Sequence, residues 1–581
     1  MKKLYLSFLL AMPTIVFAQS AHIAVDDPDY YLINRLTTLS GTISDSTHTF
    51  VQPLDNRSVA AFMQQARLYN NQKGWSKTDN SNIAIALSNT GEWSIPDGMG
   101  AIDSKIPLSP FYEKITDFLY YNKKDFFISF NPVLGTEGIF DFEDNGSGSN
   151  DLFKPSFYAG AKLRAKYKDI LGLEFSTVYA NEYPSREYQL YNSNRNTVIG
   201  TSRKMVYDTA QNRNSYLLPT GSIGLKVLKN HISLNVGYDF LKMGDGYRSL
   251  MLSDFSGPIA YANIKTKVWK LQYDNLFLRL SPDKNIPGNL LTLNTPNFKF
   301  AAAHQLSVNV NKWLNIGLYE MTVFSRSNHF EVGYLNPIIF YRAVERSLGS
   351  PDKVAIGINA KAIAAKHFRI YGQFLINEFT ASEFFANNGY IHNKWGAQLG
   401  FNYYDMFGVS NLDMQLEANV IRPYTFQHSD RGIGYLSSNF TNNNLPLGHP
   451  LGAGFQELIA RVQYQPGIRW HIEAKALWYK KGVDTGGYNL GNDLSNAYNR
   501  NILSTHGVKM INGDQLGRFY AQMKVTYLIA PNLFADFAFS NGSFTYESKG
   551  GTPNYLLPDN KDRFNAFLSL RLNMPYKDYF F

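Results

Sequence analysis

The stretch "HISLNVGYDF" at residues 231–240 sets Ile232, Leu234, Val236, Tyr238 and Phe240 on one side and Ser233, Asn235, Gly237 and Asp239 on the other. A period of two with one apolar and one polar face is the pattern of a β-strand. It recurs in "LDMQLEANV" (412–420), where Leu412, Met414, Leu416, Ala418 and Val420 oppose Asp413, Gln415, Glu417 and Asn419. In "RWHIEAKALW" (469–478) Trp470, Ile472, Ala474, Ala476 and Trp478 oppose His471, Glu473 and Lys475. A soluble sandwich alternates in the same way, so the decision falls to the connections.

Short turns fall near Lys168-Asp169, Lys229-Asn230, Trp269-Lys270, Asn311-Lys312, Lys366-His367, Phe407-Gly408, Pro466-Gly467 and Pro531-Asn532. Long polar segments lie between them, at about 136–156, 181–216, 241–260, 280–303, 325–350, 377–395, 421–455, 479–517 and 541–562. Strict alternation of short turns and long loops is the habit of transmembrane β-barrels. The spacing predicts an all-β fold: a transmembrane antiparallel β-barrel of eighteen strands, or sixteen if one pair is split wrongly. Hydrocarbon leaves no backbone amide unpaired, so such a sheet closes on itself. The 38 Tyr and 41 Phe supply two interfacial girdles.

The flanks fit export. "MKKLYLSFLLAMPTIVFAQS" carries Lys2 and Lys3, an apolar stretch and a small residue before Gln19, the order of a secretory signal peptide cut after Ala18. No later apolar run reaches the roughly 18–20 residues of a spanning helix. Cysteine is absent, which removes disulfides and thiolate metal sites. The chain divides into a signal peptide (1–18), a partly helical periplasmic or plug segment (19–125) and the barrel (126–581). In "SVAAFMQQARLYNNQKG" Val59, Phe62, Met63, Ala66 and Tyr69 stand at helical spacing, with Ser58 as N-cap and Gly74 past the end. The final "PYKDYFF" suits a chain inserted by the barrel-assembly machinery, with Pro575 marking a bulge or the end of the last strand.

Chemical motifs are few. "GDGYRS" (244–249) follows a strand, but no helix and no Gly-Lys-Ser/Thr come after it, which argues for a folded loop and against a nucleotide site. The 11 histidines lack metal-ligand spacing, and no cofactor is expected. Glu320, Glu331, Glu345 and Glu378 would serve a glycosidase only if two of them met in space; the chain is read as a non-enzyme. The net charge of +9 points to no nucleic acid, because export keeps the chain from it. In "FYAGAKLRAKYK" Lys162, Arg164, Lys166 and Lys168 share the polar face, and Lys265 and Lys267 repeat the arrangement. These six make a basic lumen that concentrates anions, or they pair with Glu174 and Glu417.

Several segments together resemble the Wzi-type capsule assembly family and the RemB-like gliding-motility proteins of its relatives. They are "DPDYYLINRL", "GDGYRSLMLSDFSGP", "YLNPIIFYRAVE", "YGQFLINEF", "VIRPYTFQHSD" and "NNLPLGHPLGAGFQELIARVQY". The resemblance covers roughly 25–575. It implies an eighteen-stranded outer-membrane barrel with a helical periplasmic portion that binds and retains capsular or other surface polysaccharide at the cell surface. The expected partners are that polysaccharide and outer-membrane lipid. Gliding or adhesion is the alternative role, and a diffusion porin a further one. Candidate polysaccharide contacts are Arg248, Asp254, Arg422, Tyr424, His428, His449 and Glu457. Each also suits a role in ordering large loops, His449 most of all between Gly448 and Pro450.

Overall fold

The computed structural model describes residues 22–93, 116–123, 125–142, 153–168, 170–201, 203–204, 207–208, 213–228, 231–283, 298–326, 329–338, 340–349, 352–428, 438–496, 498, 501–549 and 562–575. The expected signal peptide (1–18) and the terminal "YKDYFF" lie outside them. Among the described residues, eighteen long antiparallel strands close into one barrel. They begin with β1 (Phe126–Asp141), β2 (Phe153–Tyr167), β3 (Leu171–Glu182), β4 (Arg213–Leu228), β5 (Ile232–Asp239) and β6 (Ile259–Val268). Next come β7 (Leu271–Leu280), β8 (Lys299–Asn309), β9 (Leu314–Phe324), β10 (Lys353–Ala365), β11 (Phe368–Glu378) and β12 (Lys394–Tyr403). The last six are β13 (Leu412–Ile421), β14 (Phe455–Tyr464), β15 (Trp470–Val483), β16 (Asp514–Ala530), β17 (Leu533–Glu547) and β18 (Asp562–Leu572). Pairing of β18 with β1, from Asn565↔Asp141 to Leu572↔Leu134, seals the sheet. Short turns and long connections alternate in the order that the hydropathy pattern gives, although β1, β15 and β17 run several residues into the loops expected from 136, 479 and 541; Asp169 and the Lys229-Asn230 turn lie outside the described residues.

Polarity is inverted along the wall. Val236 and Leu416 are exposed while their neighbours Asn235, Ser233, Glu417 and Asn419 are buried. Large exposed apolar side chains are what a strand shows when its outer face meets lipid. The polar face turns into a lumen that is filled. Phe50 and Val51 of the N-terminal segment, Leu241, Met243 and Leu250 of the β5–β6 loop and Phe426 and Phe440 of the β13–β14 loop pack there against Tyr319, Met321 and Tyr479 of the wall. Val51–Gln52 and Lys242–Met243 form a two-stranded antiparallel sheet inside the barrel.

Three helices precede the wall: α1 (Pro28–Ser40), α2 (Asn56–Lys73) and α3 (Lys77–Asn89). Asp27 caps α1 by accepting the Asp29 N–H at 2.9 Å, Pro28 occupies the first turn, and Gly41 at φ 70° ends it. The α2 helix begins earlier than its sequence suggests. Asp55, not Ser58, is the cap, taking the Ser58 N–H at 2.8 Å, while Gly74 at φ 68° ends the helix as expected. Val59, Phe62, Met63 and Ala66 are buried against Leu32, Ile33, Leu36, Ile83 and Leu87. This helical body contacts the short-turn end of the barrel: Ile43 N–H donates to Lys312 O at 2.7 Å, Ser76 reaches Asn411 at 2.8 Å, and Asn82 reaches Gln465 at 2.9 Å.

Candidate functional site

The glycine loop does hold an anion, and the anion belongs to the protein. The backbone N–H groups of Tyr247 and Arg248 donate to the two carboxylate oxygens of Glu417 on β13, at 2.7 and 2.9 Å. The Tyr371 hydroxyl adds a third donor at 2.8 Å, with Gln398 and Asn419 completing the shell. Close approach explains the glycines. A Cβ on Gly246 would stand 2.4 Å from Glu417 Oε2, and one on Gly244 would stand 2.7 Å from Gln373 Nε2. Between them, Asp245 bonds Lys361 at 2.9 Å, Arg369 at 3.2 Å and Thr49 at 2.5 Å. Burial works to raise the Asp245 carboxyl, but Lys361 and Arg369 outweigh it and hold it below its ordinary value.

Three of the seven candidate contacts converge next to this loop. Arg248 pairs with Glu457 at 3.3 Å, and Glu457 accepts from His449 at 2.7 Å. The Leu451 N–H donates to His449 Nδ1 at 3.2 Å, which leaves the ring proton on Nε2, facing Glu457. Burial lowers the His449 pKa despite that carboxylate, so the ring is neutral. All three side chains are buried, and the arrangement orders loops.

The other four stand elsewhere. Asp254 feels Asp26 and Lys242; burial and the Asp26 charge raise its pKa to about 6. Arg422 donates to the carbonyls of Tyr390, Asn393 and Val508, tying three loop segments together. The Tyr424 hydroxyl donates to Asn489 O at 2.8 Å. The His428 backbone N–H donates to Asn439 Oδ1 at 2.5 Å, and its carbonyl accepts the Tyr498 N–H.

The basic face turns inward, and its cations meet protein groups. Lys162 pairs with Glu174 at 2.7 Å, and Arg164 pairs with Glu92 at 3.0 Å and Asp117 at 2.8 Å. Lys166 donates to the Glu92 carbonyl and lies 4.5 Å from the Trp93 ring centroid. Lys265 approaches Asp274 at 4.0 Å, Lys267 donates to the Ser46 carbonyl, and Lys168 sits exposed on its turn beside the Tyr167 ring. Much of this face receives the N-terminal segment.

His48 lies in the same surroundings, bonded to Ser307 at 2.7 Å. Burial, with Lys361, Lys267 and Lys265, lowers its pKa from 6.5 to about 3. The unfolded chain therefore takes up a proton near pH 6.5 that the folded chain refuses until about pH 3. Above pH 6.5 the ring makes no difference; below it, His48 costs stability as the pH falls. A His48→Asn variant is expected to lose less protection of α1–α3 than the parent as the pH drops from 6.5, read by hydrogen exchange.

The carboxylates weighed for hydrolysis are each engaged and do not pair with one another. Glu378 meets Lys353 at 2.6 Å, Lys394 at 3.1 Å and His392 at 2.7 Å. Glu331 pairs with Arg326 and Glu345 with Arg342. Glu320 is bonded to His304 and to backbone N–H groups. Among the described residues no three His, Asp or Glu side chains are arranged to hold a metal ion.

At the long-loop end a partly exposed cluster joins the β11–β12 and β15–β16 connections. The Tyr390 ring lies 5.1 Å from His392 and 5.0 Å from His506, and His392 lies 5.4 Å from Tyr498. The Lys394 ammonium sits 3.7 Å from the Tyr498 centroid. Glu378, His392 and Glu383 are about one third exposed and His506 nearly half. Of this group the sequence pointed only to Glu378, as a carboxylate; the remaining signal was the density of rings and histidine in "YIHNK" and "NAYNR".

No family model and no curated protein sequence match this chain. Solved structures do. Wzi of Escherichia coli, an outer membrane protein involved in group 1 capsule assembly and a carbohydrate-binding β-barrel, superposes at a TM-score of 0.54. It is 12% identical, and the match covers 96% of this chain and 100% of that one. OprD of Pseudomonas aeruginosa gives a TM-score of 0.41 at 9% identity, over 77% and 93% of the two chains. OccAB2 of Acinetobacter baumannii gives 0.36 at 10%, over 76% and 97%. The chain has the fold of an outer-membrane β-barrel.

Proposed function

We propose that this protein is a non-enzymatic outer-membrane β-barrel that binds and retains capsular or other surface polysaccharide, with its helices on the periplasmic side and its long loops outside. One observation carries the reading. A lumen packed by its own loops and by Phe50 and Val51 is poorly suited to diffusion, while the outer rim offers a ring-rich, carboxylate-bearing surface. Sugars present apolar C–H faces to aromatic rings and hydroxyls to carboxylates, and this cluster supplies both. The carbohydrate binding of the Wzi barrel supports the same reading.

Deleting the gene is expected to shift polysaccharide from the cell-bound to the released fraction, and unchanged retention would overturn the proposal. In vitro, Tyr390→Ala should weaken polysaccharide binding about three- to tenfold, the worth of one ring contact. Titration calorimetry on the detergent-solubilised protein reads that change directly.

A further inference from the structure

The described residues of the β9–β10 connection do not enter the lumen. They lie against the outside of the wall. On β9 the outward parity runs Ile316, Leu318, Glu320, Thr322, Phe324. The first two are 41% and 38% exposed, and the last three are fully covered. His304, opposite Glu320 on β8, is covered as well. The cover is residues 329–338 and 340–349, whose Tyr334, Tyr341 and Phe330 pack on Phe324, Phe300 and Phe277.

Polar groups on this outer face serve the covering backbone. Glu320 accepts the N–H groups of Phe340 at 2.5 Å and Tyr341 at 2.8 Å, and it also bonds His304 at 2.9 Å. The Tyr341 ring stacks on His304 at 4.1 Å. The Tyr273 hydroxyl donates to Pro337 O at 2.7 Å. Tyr273 is the third residue from the short-turn end of the ten-residue β7. A membrane-crossing strand needs about 9–11 residues, so the tip of this segment descends past the middle of the span. Its own outer surface shows Val332 at 73%, Leu335 at 49%, Ile338 at 69% and Phe340 at 54% exposure.

Irregular backbone at membrane depth persists only where its polar groups find partners. Here the wall provides a carboxylate and a phenol for that purpose, and Val332, Leu335, Ile338 and Phe340 around the tip face away with apolar side chains, while the exposed Arg342 and Arg346 follow on the leg that returns to the rim. These apolar side chains continue the belt of Ile316, Leu318 and Ile358. We propose that residues 330–338 and 340–341 form a re-entrant flap embedded in the hydrocarbon beside the barrel, its outer surface covered by lipid acyl chains, with the long side chains of Arg342 and Arg346 on the returning leg extending toward the headgroups. The flap enlarges one sector of the perimeter and shields the His304–Glu320 pair from lipid. This inference stands apart from polysaccharide binding, and its test does not involve sugar.

The chain contains no cysteine, so Val332→Cys, Ile338→Cys, Leu318→Cys and Tyr488→Cys each offer a unique position for a nitroxide in the full-length protein reconstituted in phospholipid bilayers. Leu318 is the lipid-facing reference, and Tyr488, exposed on the β15–β16 loop, is the aqueous one. Labels at Val332 and Ile338 are expected to be relaxed by dissolved oxygen and not by a water-soluble nickel chelate, as at Leu318. Nickel relaxation matching that at Tyr488 would overturn the proposal. So would exclusion of both agents, the signature of a second protein on this surface. Adding Glu320→Ala to Ile338→Cys is expected to bring nickel relaxation back while the barrel remains folded. An unchanged profile in that double variant would remove Glu320 as the anchor and overturn the flap as drawn.

Discussion

Glu417→Leu is expected to unlock the lumen. Leucine roughly conserves volume but accepts no hydrogen bond, so the N–H groups of Tyr247 and Arg248 and the Tyr371 hydroxyl lose their common partner. A buried donor left unpaired costs about 1–3 kcal/mol. Three of them together bring the expected destabilisation to several kcal/mol, large beside a typical net stability of about 5–15 kcal/mol. The loss is local first, because the β5–β6 loop also carries the Lys242–Met243 strand that pairs with Val51–Gln52. Releasing that loop loosens both obstructions together. In planar bilayers the parent should conduct little, and the variant should show larger, noisier steps. Glu417→Gln keeps one acceptor oxygen and should fall between the two. Equal conductance across all three would mean that Glu417 does not hold the lumen shut.

Arg35→Met is expected to detach the helical body from the turns. Arg35 on α1 is buried and spends its whole guanidinium on three carboxylates: Asp79 at 2.8 Å, Asp413 at 2.7 Å and Asp405 at 2.6 Å. Burial opposes its charge, but Asp79 and Asp405 outweigh that and raise its pKa. Removing one member of a buried ion network leaves uncompensated charge and costs roughly 3–5 kcal/mol. Lysine should rescue poorly, because a point charge cannot reproduce a fork shared among three acids. Limited proteolysis reads the result. Residues 22–93 should become cleavable in the variant while the wall stays protected. An intact helical body would show that α1–α3 are held by their apolar contacts alone.

Much of the barrel was legible because lipid imposes so few solutions. Ile232, Leu234 and Val236 alternate with Ser233, Asn235 and Gly237, and only a closed sheet satisfies that pattern in hydrocarbon. The turns were legible for the same reason, since each interrupts a period-two run. The cap of α2 was misplaced because Asp55 and Ser58 both suit an N-cap, and only the fold reveals that the Asp55 carboxylate takes the Ser58 N–H.

The site was legible in part. Arg248, His449 and Glu457 do meet, although 209 positions separate the first from the last. Strand periodicity says which residues face inward, but not which wall carboxylate a loop will find, so Glu417 as the anchor of "GDGYRS" could not be foreseen. Arg422 was chosen for its charge, whereas its work is to collect three carbonyls. The outer-wall flap had left a trace. His304 stands at an outward position between Ala302 and Leu306, and Glu320 follows Ile316 and Leu318 on the same outward face, and a polar residue on the lipid side of a barrel is costly unless something covers it.

Val323 and Lys353 stand opposite each other at the rim of the β9–β10 ladder, which places their Cα atoms about 5 Å apart. A two-residue hairpin would bridge that gap. The described residues between β9 and β10 hang from the wall as an appendage, so a lineage can swap or trim it while every strand keeps its register, provided that Glu320 and His304 stay covered. Diversification of such a surface proceeds by cassette, with the staves of the cask left untouched.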